Sequence, residues 1–227
     1  MNEPWYLSGC RLKAIVGHFG SGKTEIAMNA AIAAHNAGLA ATVVDLDIVN
    51  PFFRSAEKKD ELAALGVETL YPTYALSPVD IPALPAEITS VFNRADLRAF
   101  FDVGGDDPGA AALGTYHPLF QRHGLDIYYV INPFRPRSST QNLILELMDK
   151  VQQRARQPIC GLINNANVGE YTDEETLARG RDVIRDVSAE TGIPVVAEYA
   201  LPHLTGGDAS IPRYPLTRIL KPEWMEH

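Results

Sequence analysis

Long apolar runs are missing from this chain. Hydrophobic residues make up 46% of its 227 residues, yet no stretch approaches the roughly 18 unbroken apolar residues that a membrane span requires. Cysteine is scarce as well. Only Cys10 and Cys160 occur, far apart in sequence, and neither belongs to a Cys-x-x-Cys pair. A cysteine-bridged zinc or iron–sulfur site within one chain is therefore unsupported, and a disulfide is disfavoured in a reducing compartment. Positive charge is in short supply, with 20 Lys and Arg against 28 Asp and Glu, a net charge of −8. Nucleic-acid binders draw much of their affinity from a basic face that neutralises phosphates, so a nucleic-acid partner is disfavoured. Arg135 and Arg137, and Arg179, Arg181 and Arg185, read as solvated loop and helix charges. The opening residues, Met1-Asn-Glu-Pro-Trp-Tyr-Leu-Ser, carry neither the basic nor the apolar region of a secretory signal. A cytoplasmic location is the expectation.

What the chain does contain is alternation. Apolar, β-rich runs trade places with helical patterns, the signature of βαβ units around a largely parallel sheet. Strands are expected at Lys13–Val16, Ala41–Asp45, Val67–Tyr71, Ala99–Val103, Ile127–Asn132, Ile159–Asn164 and Val195–Tyr199. Helices are expected at Lys23–Asn36, Ala86–Arg94, Pro108–Gln121, Ser138–Arg154 and Asp173–Thr191. Ser138 and Asp173 fit as N-caps, while Ala37-Gly38 and Gly192-Ile-Pro194 fit as helix stops. Four prolines make Tyr71–Pro85 an irregular loop. Pro212, Pro215 and Pro222 suggest that the tail from 203 to 227 wraps the surface of a single α/β domain with its core at about 12–202.

One segment carries chemistry outright. Lys13-Ala-Ile-Val-Gly17-His-Phe-Gly20-Ser-Gly22-Lys23-Thr24 is a strand, a glycine-rich loop and a helix start, and it satisfies Gly-x-x-x-x-Gly-Lys-[Ser/Thr]. The glycines permit backbone angles that aim successive N–H groups at phosphate oxygens. The positive end of the following helix favours the anion. Lys23 would reach the β- and γ-phosphates, and the Thr24 hydroxyl would ligate Mg²⁺. A chance match in a chain this long is on the order of 1%. Gly17, Gly20, Ser21, Gly22, Lys23, Thr24 and Glu25 are the candidate phosphate-side contacts.

Acidic residues collect where that loop should sit. Val43-Val44-Asp45-Leu46-Asp47 ends one strand, and ligands in parallel sheets lie at the carboxyl ends of strands. One carboxylate could serve the attacking water or the magnesium shell, and the other could hold the loop; a strand-end pair capping a turn is the plainer alternative. Phe100-Phe101-Asp102-Val103-Gly104-Gly105-Asp106 is another apolar strand ending in acid. Asp102 suits a Walker-B role toward Mg²⁺, and Gly104 and Gly105 allow the backbone to bend toward the γ-phosphate. Asp45, Asp47 and Asp102 join Thr24 as candidate metal-side residues.

With these residues in hand, the chain resembles the SIMIBI class of P-loop NTPases, and in particular its MinD/ParA/Mrp-like branch, the CobQ/CobB/MinD/ParA nucleotide-binding domain. The likeness runs from about Leu12 to Pro202. It implies an α/β fold with helices on both faces of a mostly parallel sheet. Asp45-Leu-Asp47 is similar to that branch's Asp-x-Asp motif, which implies that Asp47 aligns the hydrolytic water. Asp102-Val-Gly-Gly105 resembles its switch II, and Tyr129–Pro133 with Ser138-Ser139 resembles the strand and loop before its fourth helix. Gly161-Leu-Ile-Asn-Asn165 resembles the strand whose Asn reads the adenine edge, implying that role for Asn165; an Asx turn before Gly169 is the alternative. Ala200-Leu-Pro202 resembles the loop that closes over the base. Three departures matter. His18 stands where the branch places a second lysine that crosses to a partner subunit. The cysteine pairs of metal-delivery relatives are absent. Pro222 interrupts the C-terminal segment where a membrane-binding amphipathic helix would lie, so membrane docking is disfavoured.

The resulting expectation is a Mg²⁺-dependent ATPase, with Lys23 and Asp47 as its catalytic residues. It would switch at Asp47–Arg54 and Asp102–Gly109, act on a protein partner, and leave homodimerisation open. Two other classes remain. One is a small-molecule kinase or ATP-dependent ligase with an acceptor pocket near Leu70–Pro85; the other is a nucleotide-gated binding module. Asn164-Asn165-Ala166-Asn167 departs from the Asn-Lys-x-Asp of GTP-specific proteins, which makes GTP the second choice.

Overall fold

The computed structural model describes residues 3–46, 59–71, 86–105 and 107–219. Eight strands form one sheet: β1 (Leu12–Gly17), β2 (Ala40–Asp45), β3 (Glu68–Leu70), β4 (Leu97–Asp102), β5 (Asp126–Ile131), β6 (Ile159–Asn164), β7 (Val195–Ala200) and β8 (Arg213–Pro215). Their spatial order is β3-β2-β4-β1-β5-β6-β7-β8, and every neighbouring pair is parallel. The chain therefore winds outward from β1 in two directions, which opens a crevice at the carboxyl end of β1. The helices are α1 (Lys23–Asn36), α2 (Lys59–Ala64), α3 (Ala86–Asn93), α4 (Asp107–Thr115), α5 (His117–His123), α6 (Gln141–Ala155) and α7 (Glu174–Thr191).

Both faces of the sheet are covered, so its strands are apolar throughout rather than alternating with polar residues. Consecutive residues feed two separate cores. Val16, Val44, Phe101 and Tyr129 pack with Ile144 and Met148 of α6 and Ile184 of α7. Ile15, Val43, Phe100 and Tyr128 pack on the opposite face with Ile26, Ala27, Ala30, Ala31 and Ala34 of α1. The alanines let α1 lie close on β1 and β4, which fixes the position of its N-terminus. α1 ends where expected, with Ala37 and Gly38 donating back to Ala33 and His35.

The structure corrects several local expectations. The helix expected over Pro108–Gln121 is two, α4 and α5, meeting at Tyr116; Pro118 has no N–H to offer the turn behind it. Ser138 is not the cap of α6. It ends a short 3-10 turn from Pro136, and Thr140 is the cap, its hydroxyl accepting from the Leu143 N–H at 3.4 Å. Asp173 does cap α7, accepting from the Thr176 N–H at 2.8 Å. The segment after Pro202 does more than wrap the surface: it supplies β8, and Leu216 and Ile219 are buried in the α1-side core. The short helix α2 was not foreseen.

Candidate nucleotide-binding site

The loop from Gly17 to Thr24 follows β1 and opens α1. Gly17 has φ 147 and Gly22 φ 91, conformations that side-chain-bearing residues rarely adopt. Space forbids a side chain too: a Cβ on Gly17 would lie 2.6 Å from the Val130 carbonyl oxygen, and one on Gly22 would collide with the Asn165 amide. The N-terminus of α1 has no side-chain cap, so the N–H groups of its first turn stay available to an anion.

Carbonyls of the loop are held by its own lysine and by side chains beside it. Lys23 Nζ donates to the His18 carbonyl at 3.1 Å, Arg135 Nε to the Gly20 carbonyl at 2.9 Å, and Asn165 Nδ2 to the Ser21 carbonyl at 2.6 Å. The His18 carbonyl also accepts from the Ser21 N–H at 3.1 Å, so three of the loop's carbonyls are fixed by hydrogen bonds. The Ser21 hydroxyl is buried with no partner among the described residues, a polar group suited to a ligand in the loop.

The acidic residues meet beside it. Asp45 and Asp102 sit directly across from each other in the β2–β4 register, and Asp102 lies beside Ile15 of β1. Both carboxylates are buried, at 4% and 5% exposure. Strand alternation puts them on the same face as Val43 and Phe100, the face covered by α1, with Lys23 and Thr24 at its near end. Among the described residues no group of three or more His, Cys, Asp or Glu side chains forms a metal cage. Mg²⁺ keeps several waters and takes one or two carboxylates plus substrate phosphates, and Asp45 and Asp102 are two carboxylates side by side. Thr24, Asp45 and Asp102 would hold it. Asp47 lies outside the described residues, as do the rest of the segment Asp47–Arg54 and residues 72–85. Gly105 packs on the loop itself, since a Cβ there would meet the backbone of His18 and Phe19.

Two of the expected site residues, Asn165 and Glu25, make contacts within the fold. Asn165 stands at the end of β6, but it is 1% exposed, and its amide faces the phosphate loop rather than open space. Its Oδ1 has no partner among the described residues. Glu25 turns toward the tail, where its Oε2 accepts from the Ile219 N–H at 3.1 Å. Pro202 lines a cleft of about 430 Å³ with Glu170, Leu201, His203, Leu216, Thr217 and Arg218. This cleft lies beyond the carboxyl ends of β6 and β7, where the base end of a nucleotide in this fold would lie.

Sequence reasoning passed over the residues that brace this end of the sheet. Glu198, in the middle of β7, is 1% exposed. It accepts from Asn164 Nδ2 at 2.8 Å, Arg181 Nη1 at 3.0 Å and Arg213 Nε at 2.9 Å. Arg213 continues to Glu174 and to the Leu204 carbonyl, and Glu174 also accepts from the Gly206 N–H. The arginine beside it holds the Glu174 carboxyl below its ordinary value. β6, β7, β8 and α7 are thereby tied to the loop beside the cleft. Asn132 joins the loops after β5 and β6, accepting from Phe134 and Asn167 N–H groups and donating to the Asn167 carbonyl. Arg135, first read as a solvated charge, touches the phosphate loop.

No protein-family model matches the chain, and no curated protein matches it in sequence. Solved structures do. The chloroplast FtsY of Physcomitrella patens superposes with a TM-score of 0.54 at 15% identity, over 85% of this chain and 59% of that one. The cell division protein FtsY of Thermotoga maritima gives 0.52 at 17%, over 81% and 60%. The signal recognition particle receptor FtsY of Elizabethkingia anophelis, solved with GDP, gives 0.52 at 18%, over 86% and 57%. The chain thus spans less than two thirds of the length of the structures it matches. At these identities the likeness shows the fold alone, an α/β P-loop fold built on a parallel sheet. These neighbours do not carry the narrower likeness to the MinD/ParA branch.

Proposed function

We propose that the protein binds a Mg²⁺–nucleoside triphosphate at Gly17–Thr24 and hydrolyses it as a switch acting on a protein partner. The observation that carries this reading is the loop. Its carbonyls are fixed by Lys23, Arg135 and Asn165, above a helix with no side-chain cap, beside two buried carboxylates in register. Lys23 and the first-turn N–H groups would bind the phosphates. Asp45 and Asp102 would orient the magnesium shell, and Asp47 the water. Bound Mg²⁺ would supply charge neutralisation between the β- and γ-phosphates. Gly105, packed on His18 and Phe19, would report the state of the loop to the segment that follows it.

For the base we assign ATP, because Asn167 stands where the acidic residue of a guanine-reading Asn-Lys-x-Asp would lie. GTP is the second reading, favoured by the GDP complex of one fold neighbour and by the Glu170 carboxylate on the cleft. The deciding experiment is turnover of ATP and GTP by purified protein, alone and with candidate metabolites. Hydrolysis in water alone, faster with ATP, is the expected result. Consumption only with a metabolite would point instead to a kinase or ligase, and binding without turnover to a gated binding module.

A further inference from the structure

We propose that Asn29 is a positioning residue for the nucleoside end of the nucleotide, pinning segment 216–219 to α1 as a wall of the cleft beside Pro202. The proposal rests on the nucleotide reading above and adds to it a part of the chain that the phosphate loop does not contain.

The segment is held from two sides. From β7, the Ala200 carbonyl accepts from the Leu216 N–H at 2.7 Å. From α1, Asn29 meets Thr217 with both ends of its amide. Its Oδ1 accepts from the Thr217 N–H at 2.9 Å and its Nδ2 donates to the Thr217 carbonyl at 2.8 Å, the paired bonds that a neighbouring strand's peptide would make. Nδ2 also donates to the Glu25 carbonyl at 2.8 Å, which fixes the amide against its own helix. Two residues on, the Ile219 N–H donates to Glu25 Oε2 at 3.1 Å. Glu25 directly follows Thr24, and Asn29 is about one helical turn further. The segment is thereby bonded to the helix that the phosphate loop opens.

The same segment lines the cleft. Leu216, Thr217 and Arg218 share its walls with Leu201 and Pro202, around a volume of about 430 Å³, a size common among small-molecule sites. Arg218 reaches the turn after β6, with Nη2 3.7 Å from where a Cβ on Gly169 would be. Sheet order gives the ligand a direction. Asp45 and Asp102, on β2 and β4, lie on one side of β1, whereas β5, β6 and β7 follow in turn on the other. With magnesium and the terminal phosphate on the acidic side, the nucleoside extends toward β6 and β7. They stand two and three strands from β1, roughly 10–15 Å away, which is within a nucleotide's reach. A wall fixed before binding costs the ligand little ordering.

Calorimetric titration with Mg²⁺ compares wild type, Asn29→Ala, Thr217→Pro and Lys23→Ala. The ligands are non-hydrolysable analogues of ATP and GTP, and inorganic tripolyphosphate, which has phosphates but no nucleoside. Alanine suits a helix, and Thr217→Pro removes the same N–H from the other partner. Each of these two variants should weaken the preferred analogue about tenfold and tripolyphosphate less than about twofold. Equal losses for both ligands would make Asn29 a support of the phosphate loop alone, and unchanged analogue affinity would separate the wall from the nucleoside; either result overturns the proposal. Hydrogen exchange on wild type needs no variant to fold. The analogue, and not tripolyphosphate, should slow exchange of the Thr217 and Ile219 amides, because coupling between two sites is reciprocal; equal protection by both ligands overturns the proposal. Lys23→Ala should lose both ligands. If wild type holds the analogues no more tightly than tripolyphosphate, this proposal falls while the phosphate site stands. If wild type binds none of them, the nucleotide reading falls and this one falls with it.

Discussion

Replacing Glu198 by Gln removes one charge from the most deeply buried ion-pair network among the described residues and changes almost no volume. The carboxylate is 1% exposed and receives two contacts from Arg181, two from Arg213 and one from Asn164. The arginine side chains are only 11% and 17% exposed, so water screens them poorly. An amide keeps one acceptor oxygen but sets an NH₂ against the donors that met the other. Removing one partner of a buried pair costs about 3–5 kcal/mol, and the retained oxygen puts this substitution near the lower figure, about 3 kcal/mol. For a chain of this size each kcal/mol lowers the melting temperature by about 2–4 °C, so Glu198→Gln should melt roughly 6–12 °C below wild type. Scanning calorimetry and far-ultraviolet dichroism followed in the same buffer measure it. Glu146→Gln is the control: its partner Lys150 lies one helical turn away and both side chains are more than half exposed, so its melting temperature should not move. If Glu198→Gln melts within about 1 °C of wild type, the network does not brace this end of the sheet.

Other consequences are accessible to simple measurements. Asn165→Ala leaves the Ser21 carbonyl without its donor, a loss of about 1 kcal/mol with a further 1–3 kcal/mol if the carbonyl stays unpaired. ATP and GTP should both weaken by about tenfold, and a loss confined to ATP in competition titrations would return Asn165 to base recognition. Burial, helped by the Asp126 charge, pushes the Cys160 thiol up to about 11 from an ordinary 9.0. The residue is open to solvent, but its Sγ is turned inward onto the Ile127 carbonyl at 3.1 Å. Because the fold favours the neutral thiol, this group's contribution to stability is full below pH 9 and lost as pH rises through 11. At pH 8 its thiolate is about a hundredfold scarcer than that of an ordinary thiol, and greater nucleophilicity offsets roughly tenfold of that. In a Cys10→Ser background, iodoacetamide should label Cys160 about tenfold more slowly than a model thiol, with the rate still rising near pH 11. A plateau near pH 9 would refute the burial argument.

Local signals placed much of this fold correctly, because the elements involved are governed by local chemistry. α1 and β6 fall at the residues expected, Lys23–Asn36 and Ile159–Asn164: one follows a motif that fixes its start, the other is a run of apolar residues in a parallel sheet. Asp173 caps α7 because its side chain needs only its own chain three residues on. β8 was hidden because Arg213–Pro215 is three residues long and flanked or ended by proline, a pattern that reads as loop away from a sheet edge. Asn165 shows the limit at the site. Its place at the end of β6 was legible, whereas its burial against Ser21 depends on a loop 144 positions away. Glu198 and Arg135 likewise look like ordinary surface charges until β8 and the phosphate loop are set beside them.

On the function proposed above, Gly17–Thr24 is a phosphate site with Lys23 as its cation. Calorimetric titration of Mg²⁺–ATP and Mg²⁺–GTP into wild type and Lys23→Ala, with dichroism spectra of both proteins, tests it most directly. Lys23 is 7% exposed and donates to the His18 carbonyl, and it lies at the start of α1 outside both apolar cores, so the variant should keep the wild-type spectrum. Losing a charge-assisted contact to phosphate should cost at least about 2–3 kcal/mol, a fall in affinity of roughly 30- to 150-fold. Native spectra with equal nucleotide affinity in both proteins would contradict the account and place the nucleotide, if any, elsewhere on the fold.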